Sequence, residues 1–207
     1  MKETQVTDNP FNPSFGRVPP VYISRTVSVD DVVEEIQNIN SPYQTSIICG
    51  QRGTGKTAFL EDITENVRKM KGWIVVDLPA SGNLMQILVQ GIYRKYALDV
   101  KKILDSIEGI KISEFGVQAE YSRKDPDQIN YQILLEEILE KLHEKNVKVL
   151  ITIDEVGNNK DIREFASAYQ IMARRGFHMS LIMTGIPKNV SELLNDKILT
   201  FLLRSAR

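Results

Sequence analysis

A chain of 207 residues, 42% of them apolar, can bury roughly 70% of its unfolded surface and is first read as one core with one domain. Its 26 Lys and Arg nearly cancel 27 Asp and Glu, leaving a formal net charge of -1, so no global field draws the molecule to nucleic acid or anionic lipid. The longest apolar runs are far shorter than a membrane span and the polar start has no signal-peptide profile; a soluble, cytoplasmic protein without membrane contact is expected.

Residues 8–20 hold four prolines with Asn, Ser and Gly between them, which favours an extended arm over helix or strand. Residues 1–24 are therefore read as a strap, and 25–207 as the core domain. Ser28 and Asp31 offer a capping-box-like helix start. Val29, Val32, Val33, Ile36 and Ile39 continue it as an apolar stripe, which Asn40, Ser41 and Pro42 stop.

From there strand and helix signals alternate, which argues for an α/β fold with a parallel sheet covered on both faces. A strand over 46–49 is followed by a helix over 56–70, a strand over 73–78, and a helical pattern through Leu84, Ile87, Leu88, Ile92 and Tyr96. Cys49, the single cysteine, excludes an intramolecular disulfide, and its neighbours Ile47 and Ile48 suggest a buried thiol. Residues 110–121 alternate apolar and polar with a phase slip near Phe115 and Gly116, which suits a small β-hairpin. A helix over 126–145 is predicted with Asp125 as N-cap, Pro126 in the first turn and Gln128 three residues after the cap. Residues 147–153 form a near-continuous β-branched and aliphatic run, expected of a central strand buried on both faces. A helix over 162–174, a buried strand over 179–183 and a leucine-rich helix from 190 onward complete the pattern.

The segment Gly50-Gln51-Arg52-Gly53-Thr54-Gly55-Lys56-Thr57 matches GxxxxGK[ST] and lies between a buried strand and a helix start. Gly50, Gly53 and Gly55 let the backbone turn so that successive N–H groups surround a polyphosphate. The helix start, Ala58 included, adds its dipole and unpaired N–H groups. Lys56 is expected to bridge the β- and γ-phosphates and the Thr57 hydroxyl to ligate Mg2+.

Binding alone does not turn a nucleotide over, and Asp154 with Glu155 supplies an acidic element at the end of 147–153. Asp154 is expected to hold the Mg2+ hydration shell and Glu155 to orient and deprotonate an attacking water. Thr184 precedes Gly185 after a further strand; it either bonds the γ-phosphate or the water, or simply ends the strand.

This order resembles that of the AAA+ and signal-transducing P-loop ATPases, and within them looks closest to origin-recognition-like bacterial and archaeal ATPases. The lead-in Asn9-Pro10-Phe11, Gly16-Arg17-Val18-Pro19-Pro20 and Ile23-Ser24-Arg25 is similar to a segment that packs on adenine in that group, with Ser24 where a glycine is usual. The resemblance implies a three-layer fold with a five-stranded parallel sheet in the order 5-1-4-3-2, and the sensor-1 place for Thr184. It also implies an arginine reaching a neighbouring subunit's γ-phosphate, with Arg204 the first candidate and Arg207 behind it; a helix-end arginine that complements the dipole is the competing reading. The fifth strand and the helical lid have no counterpart in these 207 residues, so either a shortened chain or a reduced family member is expected, the first being favoured because a missing lid leaves one side of the nucleotide open to water. A homo-oligomer or protein partner follows from the resemblance; nucleic acid is allowed by it but not supported by the charge balance.

Other residues stay unassigned. His143 reads as a surface residue matched to a helix end, His178 shows no partner, and Arg68-Lys69-Lys71, Lys101-Lys102 and Arg174-Arg175 read as solvated faces. The leading function is an ATP-driven switch or motor core. A non-hydrolysing nucleotide-sensing module and a P-loop small-molecule kinase remain as alternatives.

Overall fold

The computed structural model describes residues 28–95, 110–113, 116–119 and 130–196. Among the described residues, six α-helices and six strands follow in chain order, besides a 3-10 turn at Pro42–Gln44: α1 (Val29–Gln37), β1 (Thr45–Cys49), α2 (Lys56–Arg68), β2 (Trp73–Leu78), α3 (Leu84–Lys95), β3 (Ile110–Ser113), β4 (Gly116–Ala119), α4 (Tyr131–Glu144), β5 (Lys148–Ile153), α5 (Lys160–Arg174), β6 (Met179–Gly185) and α6 (Pro187–Leu194). β1, β6, β5 and β2 pair in that order, all parallel. This is the expected order with the strand beyond β1 missing among the described residues. β3 and β4 form the expected antiparallel hairpin.

Strand side chains alternate between faces, and the two faces carry separate cores. Val75, Leu150 and Ile182 pack with Val32 and Ile36 of α1 and Phe59, Leu60, Ile63 and Val67 of α2. On the other face, Ile47, Val76, Ile151 and Met183 pack with apolar stripes of α3, α4 and α5. Three layers result because each helix has one apolar stripe to cover and the sheet has two apolar faces. Among the described residues no helix is long and apolar enough to cross a membrane.

Local signals place some element ends and miss others. The capping box at Ser28 is present: its hydroxyl accepts from Asp31 N–H at 3.1 Å and Asp31 accepts from Ser28 N–H at 2.9 Å. The stripe, however, ends with α1 at Gln37, and Ile39 is 45% exposed. The Gln44 amide reaches back to the carbonyls of Glu35, Ile36 and Asn38 and satisfies the helix end. α4 begins at Tyr131, later than expected, because Asn130 is its N-cap, accepting from Gln132 and Ile133 N–H; Asp125, Pro126 and Gln128 lie outside the described residues. α6 starts at Pro187, whose ring suits a first turn, and not at Val190. Cys49 is half-buried, short of the buried thiol expected.

Candidate active site

The face of the sheet that carries α1 and α2 changes character toward the carboxyl ends of its strands. Behind Val75, Leu150 and Ile182 the same alternation places Asp77, Thr152, Asp154 and Thr184, so a polar row caps the apolar layer. The loop between β1 and α2 ends over this row.

That loop is built by its glycines. Gly53 and Gly55 have φ of 76° and 77°, left-handed values that other residues rarely adopt, and Gly55 is the N-cap of α2. A Cβ on Gly50 would sit 2.8 Å from Thr54 Oγ1. Gly50 N–H donates to Gly185 O at 3.2 Å, fastening the loop to β6. The N–H groups of Gly55, Lys56, Thr57 and Ala58 have no acceptor among the described residues, as expected of a helix start that can receive an anion. Lys56 is only 6% exposed, and its ammonium donates to the carbonyls of Gly50 (2.8 Å) and Gln51 (2.9 Å). It has no carboxylate partner among the described residues, so a buried positive charge faces neutral acceptors, an arrangement that favours an incoming anion. Gln51, Arg52 and Gly53 are exposed at the loop tip.

The acidic end of β5 meets this loop directly. Thr57 Oγ1 donates to Asp154 Oδ2 at 2.7 Å across 97 residues of sequence. Thr184 Oγ1 donates to Asp154 Oδ1 and accepts from Glu155 N–H at 3.0 Å; that N–H also lies 3.1 Å from Asp154 Oδ1. Thr184 is fully buried, so its hydroxyl is spent on the turn that carries Glu155. Glu155 itself has φ of 53°, a left-handed conformation costing a non-glycine residue about 1–2 kcal/mol. Its carboxylate is exposed and has no partner among the described residues.

The structure thus brings together Lys56, Thr57, Asp154, Glu155 and Thr184. Arg204, Arg207 and the proline-rich arm lie outside the described residues. A triphosphate suits the open amides and the ammonium. For a cation, no group of three His, Cys, Asp or Glu is gathered among the described residues. The donors present are the Thr57 hydroxyl and the Asp154 carboxylate, a small oxygen set of the kind Mg2+ uses when phosphates and water fill its other positions.

Sequence reading missed two neighbours of this site. Asn159 caps α5 and also donates its amide to Ala80 O at 2.9 Å, and Asn158 reaches Glu192 O at 3.3 Å on α6. An Asn before a helix start signals a cap; its second bond crosses 79 residues and has no local signal. His178, read as lacking a partner, has Nε2 2.9 Å from Ile36 O and its ring edge-on to Trp73. Arg68 and Arg175 are paired with acidic groups, Arg68 with Glu61 and Asp77 and Arg175 with Glu136 and Glu140.

A family model described as an AAA domain matches residues 39–194. No curated protein matches. Among solved structures, Cdc6p from Pyrobaculum aerophilum is similar with a TM-score of 0.54 and 14% identity, over 94% of this chain and 47% of that one. The Aeropyrum pernix ORC2 protein is similar with a TM-score of 0.48 and 12% identity, over 85% of this chain and 44% of that one. PCH-2 of C. elegans is similar with a TM-score of 0.43 and 15% identity, over 86% and 39% respectively. The chain spans less than half the length of each, and at these identities the likeness to Cdc6p speaks to fold alone.

Proposed function

This chain belongs to the AAA domain family, and from that premise we propose that it binds ATP with Mg2+ through residues 50–58 and hydrolyses it, driving a conformational change in a protein partner or in an oligomer of itself. The observation that carries this reading is the 2.7 Å bond from Thr57 to Asp154 beside the buried Lys56 ammonium. It joins a phosphate cradle to an acidic strand end.

In this reading the open amides and Lys56 would hold the phosphates, and Thr57 and Asp154 would hold Mg2+. When bound, the cation supplies positive charge against the developing charge of the transferred phosphoryl group. Glu155, without a partner among the described residues and held by its backbone, accepts the proton of the attacking water. Thr184 orients Asp154 and Glu155, the role its two hydrogen bonds support, in place of a contact with phosphate. Arg204 keeps the role the resemblance implies, acting on the nucleotide of a neighbouring copy. Residues 1–24 remain proposed as an arm against a core of 25–207, and cytoplasmic operation belongs to the same reading.

Phosphate release tests it. Wild type should release phosphate from Mg-ATP, and Glu155→Gln should lose about 100-fold or more in turnover, the usual reach of a general base, while keeping its ATP affinity. ATP binding without phosphate release at any concentration of wild type would instead favour a nucleotide-sensing module.

A further inference from the structure

Only Val156, Gly157, Asn158 and Asn159 separate Glu155 from α5, and this short turn is fastened on three sides. Val156 N–H donates to Thr184 O at 2.8 Å, behind the site. Asn158 Nδ2 lies 3.3 Å from Glu192 O and 3.4 Å from Asp196 Oδ2, toward α6. Asn159 reaches the opposite way: its Oδ1 accepts from Ile162 N–H at 2.9 Å and its Nδ2 donates to Ala80 O at 2.9 Å, in the loop after β2. Asp161, two residues on, accepts from Gly82 N–H of the same loop at 2.7 Å.

The choice of side chain at 159 is informative. Ser, Thr or Asp would cap α5 as well as Asn does, but of these only the carboxamide carries the acceptor for the helix and the donor for Ala80 O on two separate atoms; a hydroxyl has both on one oxygen and a carboxylate has no donor. The donor is therefore what this position adds beyond a cap. What it steadies is a turn whose first residue, Glu155, sits at φ 53°; such a conformation persists only where its surroundings over-determine it.

We propose that Asn159 is a positioning residue for hydrolysis: its bond to Ala80 O, made while it caps α5, holds the turn that sets where the Glu155 carboxylate lies. This rests on the ATPase reading above and goes beyond it by making the loop after β2 part of the hydrolytic apparatus. Asn159 acts through the turn, since both of its side-chain bonds go to backbone groups of the protein.

The test uses the full chain with Asn159→Asp, which keeps the cap and removes the donor, and Asn159→Ser, which keeps the cap and replaces the separate amide donor by a shorter hydroxyl. kcat, KM for ATP and the thermal midpoint are measured beside wild type. The expected result is a fall in kcat of about tenfold in both variants, since small misplacements of a catalytic group cost rate steeply. KM should stay within roughly twofold, because the phosphate cradle is untouched. If kcat in both variants stays within roughly twofold of wild type, or if it falls only together with ATP affinity and the thermal midpoint, the proposal is overturned and Asn159 is a helix cap alone. No turnover in wild type overturns the ATPase reading itself, a result separable from the first because it appears before any variant is made.

Discussion

Thr184 carries more of the site than its place at a strand end suggests. Its hydroxyl gives its one proton to Asp154 and takes the N–H of Glu155. Thr184→Val keeps the shape and removes both bonds. A hydrogen bond to a charged group contributes about 1.5–3 kcal/mol, so kcat should fall roughly ten- to hundredfold if the turn is held for catalysis. Steady-state kinetics should show that loss with ATP affinity little changed, and Thr184→Ser should restore most of the rate. His178 offers a second prediction at this scale. Burial holds its pKa below the usual 6.5, against a raising contribution from the bond to Ile36 O, and the charges of Lys148 and His143 lower it further. The unfolded chain then takes up the proton first, so stability is full above pH 6.5 and declines as pH falls below it. Urea unfolding from pH 7.5 to 5.5 should show that decline, and His178→Asn should flatten it over this range. At the residue scale, the glycine-rich loop and the acidic pair were legible in the sequence because each is contiguous. The bonds of Thr184, Asn159 and His178 were not, because their partners are brought in by other elements.

The elements pack closely enough that single methyl groups count. Gly91 lies within α3, where a Cβ would come 2.5 Å from Val76 Cγ1 on β2. Gly91→Ala should therefore destabilise by about 1–3 kcal/mol through overpacking, outweighing the gain in helix propensity. Urea unfolding measures it, and ATP affinity should not change, since α3 lies on the face away from the P-loop. Gly185 is as constrained: a Cβ there would meet Val190 Cγ2 at 2.7 Å, which seats α6 close against the end of β6. Element type was readable nearly throughout, since periods of 2 and 3.6 separate strand from helix. Element ends were less so. Ile39 continues the stripe of α1 in sequence, yet the helix stops before it because Gln44 satisfies the last carbonyls. α4 starts at Tyr131 with Asn130 as its cap, although the sequence offers a second capping signal, Asp125 followed by Pro126, just upstream; two capping signals in a row do not decide between themselves.

For the whole molecule, ligand linkage gives the simplest check of the site. A ligand that binds only the folded state stabilises it by about 2.7 kcal/mol at a hundredfold excess over Kd. In a chain of this size that raises the thermal midpoint by roughly 5–10 °C. Mg-ATP should produce such a shift in wild type and none in Lys56→Ala, whose cradle lacks the ammonium. What the sequence determined by itself was local: eight consecutive residues that shape a glycine-built loop at a helix start, an acidic pair after an apolar strand, and an alternation demanding a covered parallel sheet. Each of these depends on neighbours along the chain, where backbone freedom, hydrophobic period and side-chain type act over a few residues. The order that puts β5 and β6 between β1 and β2 was implied by the family resemblance and by no local pattern, and the tertiary structure alone decided that Thr57 bonds Asp154, Asn159 bonds Ala80 and His178 meets Ile36. Those pairs lie 97, 79 and 142 residues apart, and their meeting follows from how two cores close on opposite faces of one sheet, a free energy summed over the molecule that no local pattern contains.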